Sequence, residues 1–176
     1  MRKRGSLWAC VALAVTLVGS GMFGPARARA DETSLREFRG RVVVSDYFIA
    51  PARSFPSPAA MVAALRRLER ATIEASAGFW RLHLYAFLDR VPDADGLRLL
   101  AIDVTDAREA REVRAFDVKA VDGEKELALG DFVLTEAMGF VKGHRYELVV
   151  ARGRGDSDTP DKGKADVYAK GVITLR

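Results

Sequence analysis

Imidazole is the side chain that titrates nearest neutrality, and the chain has two, His83 and His144. General acid–base chemistry at neutral pH must use one of them or a pair of carboxylates. His83 lies in the run FWRLHLYAFLD at 79–89, where strict alternation places Arg81, His83, Tyr85 and Phe87 on one side of a strand beside Phe79. A cation, an imidazole and a phenol between aromatic rings can hold a ligand by stacking and charge, so these four are the expected ligand-binding residues; the alternative is that the stripe of the preceding helix packs on this face and the polar tips reach its edge. Adding an Asp or Ser45 partner would make His83 a hydrolytic site. His144 follows Gly143 and reads as a solvated turn residue. No G-x-S-x-G elbow, H-E-x-x-H pair or phosphate loop occurs, so no catalytic residue is expected and the chain is read as a non-enzyme.

Two loops gather carboxylates. Asp156, Asp158 and Asp161 fall within GRGDSDTPDKGK at 153–164, with Asp166 beyond, and Asp89, Asp93 and Asp95 flank a turn. Calcium takes several hard oxygen ligands from such loops. Neither follows the helix–loop–helix calcium spacing, because Pro160 stands at the fifth position and Asp161 where Gly is needed. No cofactor is therefore expected, with calcium the one candidate metal. The same loop holds Arg154-Gly155-Asp156, which looks like the adhesion tripeptide that some integrins bind. Arg66, Arg67 and Arg70 make a local basic patch broken by Glu69, read as a solvated helix face or, more sharply, as a contact for anionic lipid or polysaccharide.

The N-terminus has a different chemistry. Arg2, Lys3 and Arg4 precede the apolar run 7–18, and Ala28-x-Ala30 precedes Asp31, the three parts of a secretory signal peptide with cleavage between Ala30 and Asp31. A spanning helix needs about 20 apolar residues, and Gly19, Gly21, Gly24 and Pro25 interrupt this one. No transmembrane segment is expected in the mature chain. Of 28 Lys plus Arg, five lie in residues 1–30 with no acid, which leaves 23 against 24 Asp plus Glu. A balanced surface of that kind argues against a nucleic-acid partner, which needs clustered positive charge. Cleavage also removes the one Cys, Cys10, so neither a disulfide nor a thiolate site is expected. The chain has no Asn or Gln, which excludes N-glycosylation and Cys-His-Asn catalysis.

After a flexible segment at 31–38, residues 39–176 read as one β-rich domain. Val- and aromatic-rich runs at 39–50, 79–89, 97–105, 113–121, 127–134, 146–151 and 167–175 read as about seven strands. The runs 113–121 and 127–134 flank Asp122-Gly123 and are expected to pair as a hairpin. Ser57-Pro58 starts and Gly78 stops an amphipathic helix at about 58–77, with Met61, Leu65, Leu68, Thr72 and Ala75 as its buried stripe.

The segment FVKGHRYELVV at 140–150 resembles the turn into the penultimate strand of immunoglobulin-like and fibronectin type III-like sandwiches, in which a Tyr after a Gly-containing turn forms a tyrosine corner. The resemblance implies an antiparallel β-sandwich; the helix and the missing disulfide depart from those families. The alternative is an α+β curved antiparallel sheet wrapping the helix. Together these features predict an exported, non-catalytic binding or assembly module, periplasmic or extracellular, whose partner is a protein or other envelope component. A ligand-binding or hydrolytic protein using the His83 face is the alternative, and a calcium-stabilised adhesion or carbohydrate module is a second.

Overall fold

A computed structural model describes residues 35–92, 96–119, 123–152 and 166–176. The expected cleavage site at Ala30 and Asp31, and Asp93, Asp95, Arg154, Asp156, Asp158 and Asp161, lie outside the described residues. Among the described residues eight strands form: β1 (Arg41–Ser45), β2 (Thr72–Ile73), β3 (Phe79–Phe87), β4 (Gly96–Asp103), β5 (Arg111–Lys119), β6 (Glu126–Thr135), β7 (Arg145–Arg152) and β8 (Val167–Leu175), with one α-helix, α1 (Pro58–Leu68).

The fold is mainly β with a single helix, as the strand runs imply. Its layering departs from a seven-strand antiparallel sandwich. The strands join one mixed sheet in the order β5-β4-β7-β8-β1-β3-β6, with β2 beside β8. Every neighbouring pair is antiparallel except β1/β8 and β2/β8, which are parallel. Alternate residues from opposite ends of that order, such as Leu99 of β4, Val42 of β1 and Leu134 of β6, enter one buried cluster around Trp80, Tyr146 and Tyr168. The sheet therefore curls almost into a barrel whose interior is filled by side chains. Its two end strands meet at one aromatic contact, Phe116 of β5 against Phe132 of β6, with ring centroids 5.1 Å apart. The expected β5/β6 hairpin is thus corrected: among the described residues each strand pairs only with its other neighbour, β5 with β4 and β6 with β3. The β3/β6 and β4/β5 registers take the hydrogen bonds instead.

The join between β1 and β8 explains how an N-terminal strand meets the C-terminal one. Lys170 N–H donates to the Gly40 carbonyl at 2.9 Å and Arg41 stands opposite Lys170. The next residue is Gly171, where a Cβ would lie 2.4 Å from the Val42 carbonyl oxygen. No real Cβ tolerates that approach, so only glycine lets the two backbones meet. The end of β8 then pairs with β2, and Trp80 Nε1 donates to the Arg176 carbonyl at 2.8 Å.

Helix α1 covers the outer face of this barrel. Ser57 caps it, its hydroxyl accepting the Ala60 N–H at 3.2 Å, and Pro58 occupies the first turn. Met61, Val62 and Leu65 pack on Phe38, Val43, Tyr85 and Phe87, a second core separate from the interior. Val42 and Val44 point inward while Val43 points to the helix, so β1 is apolar throughout because both its faces are covered. The helix lies outside the curved sheet and is not wrapped by it.

It is also shorter than its expected span to 77. After Leu68, Arg70 N–H donates to the Val44 carbonyl at 2.8 Å, and the β-branched pair Thr72-Ile73 becomes a strand against Thr174 and Leu175. Ile73 enters the barrel interior, a better burial than another helical turn offers. Gly78 stops no helix; with Ala77 it forms a two-residue turn with φ of 52° at Ala77 and 82° at Gly78, closed by paired bonds between Ser76 and Phe79.

Gly171→Ala should lower stability by about 2–3 kcal/mol or prevent folding, whereas Gly96→Ala, whose Cβ meets nothing within 4 Å, should stay within about 0.5 kcal/mol of the parent. Urea midpoints of the two variants check this. Ala77→Asn should raise the midpoint, since a left-handed Ala costs about 1 kcal/mol that Asn partly avoids.

Candidate functional site

The burial of β3 shows where the outer face is free. Its second half is buried on both sides, Tyr85 and Phe87 lying under α1, while Phe79, Arg81 and His83 retain exposed surface. The four expected ligand-binding residues are therefore split. Tyr85 and Phe87 belong to the core beneath the helix, with rings 5.1 Å apart, and are corrected to packing residues on the face that Met61 and Leu65 cover. Arg81 and His83 lie outside that core, at the end of β3 that keeps exposed surface.

At that end three strands place Ser45, His83 and Asp131 side by side, Ser45 opposite His83 and His83 opposite Asp131. His83 Nδ1 pairs with Asp131 Oδ1, and Arg81 holds the other carboxylate oxygen at 3.3 Å. The Phe48 ring stands edge-on to the imidazole, centroids 5.9 Å apart, and is itself 68% exposed. Val133, opposite Arg81 on β6, is 47% exposed. The Ser45 hydroxyl faces no solvent, Ser45 being 0% exposed, and it accepts the Tyr47 N–H at 2.9 Å. The row thus has the residue types of a serine hydrolase but a nucleophile shut inside the protein.

Asp131 and Phe48 are the residues of this candidate site that sequence reasoning missed. Asp131 stands opposite His83 only through the β3/β6 register, which the expected β5/β6 hairpin hid. Phe48 lay in a run read as strand up to residue 50, whereas β1 ends at Ser45 and leaves Tyr47 and Phe48 exposed.

The hidden half of the face has its own polar group. Tyr85 OH lies 3.5 Å from Glu126 Oε2 at the floor of an open groove of about 680 Å³ rimmed by Arg53, Lys119 and Lys125. Burial pushes the Tyr85 hydroxyl up, and the Glu126 charge adds to it. Burial likewise raises the Glu126 carboxyl, against the hydrogen bond from Tyr85 and with the help of Glu124.

His144 is more tied down than a solvated turn residue. Its Nδ1 lies 2.7 Å from Asp103 Oδ2, and Asp103 Oδ1 accepts the Thr105 N–H at 3.0 Å. Burial works against the Asp103 charge, but hydrogen bonds from Thr105 and His144 outweigh it and hold the carboxyl below its usual range. Beside it the Tyr146 hydroxyl accepts the Val141 N–H at 2.7 Å, closing the turn. Of the basic patch, Arg66 pairs with Glu37 and Arg70 Nε lies 3.2 Å from Asp46, so two of its three cations are neutralised. Arg90 bridges the inner ends of the two Asp loops, 3.4 Å from Asp89 and 3.0 Å from Asp166. A guanidinium thus sits between these two carboxylates, and the described residues contain no group of three metal-ligating side chains.

Comparison of the chain with protein-family models, with curated proteins and with solved structures finds no match.

The two carboxylates should respond oppositely to removal. For Asp103 the folded pKa lies below the unfolded one, so its stabilisation is complete above about pH 4 and is lost as pH falls through the folded value. For Glu126 the folded pKa is raised, so its charge opposes folding at neutral pH and protonation relieves this as pH falls. Melting curves at pH 7 should show Asp103→Asn with a lower midpoint than the parent and Glu126→Gln with an equal or higher one. At pH 3 both differences should shrink.

Proposed function

We propose that the protein is an exported, non-catalytic binding or assembly module of the cell envelope, and that it meets its partner through the open end of the outer face around His83. The observation that carries this reading is that Phe48 and Val133 stand exposed beside a closed charge network of Arg81, His83 and Asp131. Apolar surface beside polar groups already held in place is what a recognition patch needs: little side-chain entropy is left to lose on binding. The burial of Ser45 supports a binding role over a hydrolytic one. The bond from Val141 N–H to Tyr146 supports the resemblance to immunoglobulin-like modules at the level of that one turn. Export rests on the N-terminal signal features. Among the described residues no helix is long and apolar enough to cross a membrane.

Two measurements test the reading. Fractionation with N-terminal sequencing should find a chain beginning at Asp31 outside the cytoplasm; an intact Met1 in the cytoplasm contradicts export. A photoreactive residue at position 48 should give a discrete adduct in producing cells. The same residue at Val91, exposed beyond the Phe87 end of β3, should give none. Equal labelling at both positions, or none at 48, removes the binding patch.

A further inference from the structure

The patch around Phe48 is small and chemically mixed. Its apolar part consists of two exposed rings, Phe48 and its chain neighbour Tyr47, the latter 59% exposed with the Arg70 guanidinium 6.0 Å from its ring centre, and the edge of Val133. Its polar part is Arg81, whose side chain is 61% exposed and whose fork donates one bond to Asp131, and Asp131 itself, 43% exposed. A stable protein–protein interface covers about 800 Å² and 20–30 residues on each side. Most of the surrounding charges are engaged within the chain, as in Arg66 with Glu37 and Arg70 with Asp46. A ligand of roughly one or two ring widths fits this surface better than a broad protein face.

We propose that the patch binds a β-linked pyranose glycan, one sugar ring stacking on Phe48 while its edge hydroxyls meet Arg81 and Asp131. This rests on the proposal of a binding module and names its ligand class. A pyranose with equatorial substituents has a flat face of C–H groups, which packs on the negative face of an aromatic ring. Its adjacent hydroxyls both donate and accept, and they match an arginine fork beside a carboxylate: the guanidinium donates and the carboxylate accepts. His83 is a positioning residue. Only 12% of its side chain is exposed, and it fixes Asp131 through Nδ1 and props the Phe48 ring edge-on. Neighbouring net charge is low, since Asp131 is already paired, so the sugar needs no charge of its own.

The test is a chemical-shift titration of the full chain, as cells export it, with cellohexaose and with chitohexaose. At least one should move the Phe48 ring, Arg81 and Asp131 signals along a single saturable curve with a Kd in the millimolar range. Phe48→Ala should weaken that binding about tenfold, the worth of one stacked ring. Phe48→Trp should keep or tighten it, and Val91→Ala should leave it unchanged. Silence with both sugars at concentrations on the order of 10 mM overturns the glycan assignment. So does binding that Phe48→Ala does not weaken, or broadening of the Phe48 signals by anionic phospholipid vesicles alone. A position-48 adduct in cells with silent sugar titrations would sink the glycan and spare the binding module; absence of both sinks the two together.

Discussion

The fold depends on one close approach, the backbone of Gly171 against the carbonyl of Val42. It joins two antiparallel groups of strands, β5-β4-β7-β8 and β1-β3-β6, through the parallel β1/β8 pair. A side chain at 171 would hold β8 away from β1. The barrel interior would then open along the line where Val42, Ala169 and Ile173 are buried together. The C-terminal residue is tied into the same join, because Arg176 accepts from Trp80 and donates to Ile73. The last strand thus links both groups and the short β2.

That join determines what happens on the outside. With β8 on one side and β3 on the other, β1 becomes a central strand, and its outer residue Val43 needs cover. Helix α1 supplies it with Met61, Val62 and Leu65. Eleven residues of helix cover only part of a nine-residue strand that continues past it. The chain leaves the helix at Glu69 because Val44 offers a carbonyl to Arg70 and β8 offers an edge to Thr72 and Ile73. Beyond the residues that the helix covers, Arg81, His83 and Asp131 keep exposed surface. The barrel seam is managed differently: the β5 edge carries Arg111, Glu112, Arg114, Asp117 and Lys119, the charged dressing that discourages edge pairing.

Local signals in the sequence were legible. Alternation at 79–89 separated the His83 face from its opposite, whose Trp80, Leu82, Leu84 and Ala86 fill the interior, and Ser57-Pro58 marked the helix start to the residue. The Tyr after Gly143 does make its backbone bond. What was not legible depends on partners distant in the chain. Periodicity at 61, 65 and 68 extends to Thr72 and Ala75 equally well whether or not an edge of β8 waits for Ile73. An Asp-Gly between two strand runs signals a reversal but does not say whether the runs pair. Once β6 lies beside β3, Asp131 meets His83, and no spacing rule links residues 83 and 131. For Tyr85 and Phe87, alternation correctly gave the face and could not say that a helix covers half of it.

The most direct measurement is a through-space proton contact map of the protein in solution. The arrangement requires contacts between Val42 and Gly171, between the Phe116 and Phe132 rings, and between the Phe48 ring and His83, with no regular Hα–Hα ladder between 113–119 and 127–134. A continuous ladder joining β5 to β6, with no Val42–Gly171 contact, would contradict the closure of the sheet and with it the uncovered face at His83.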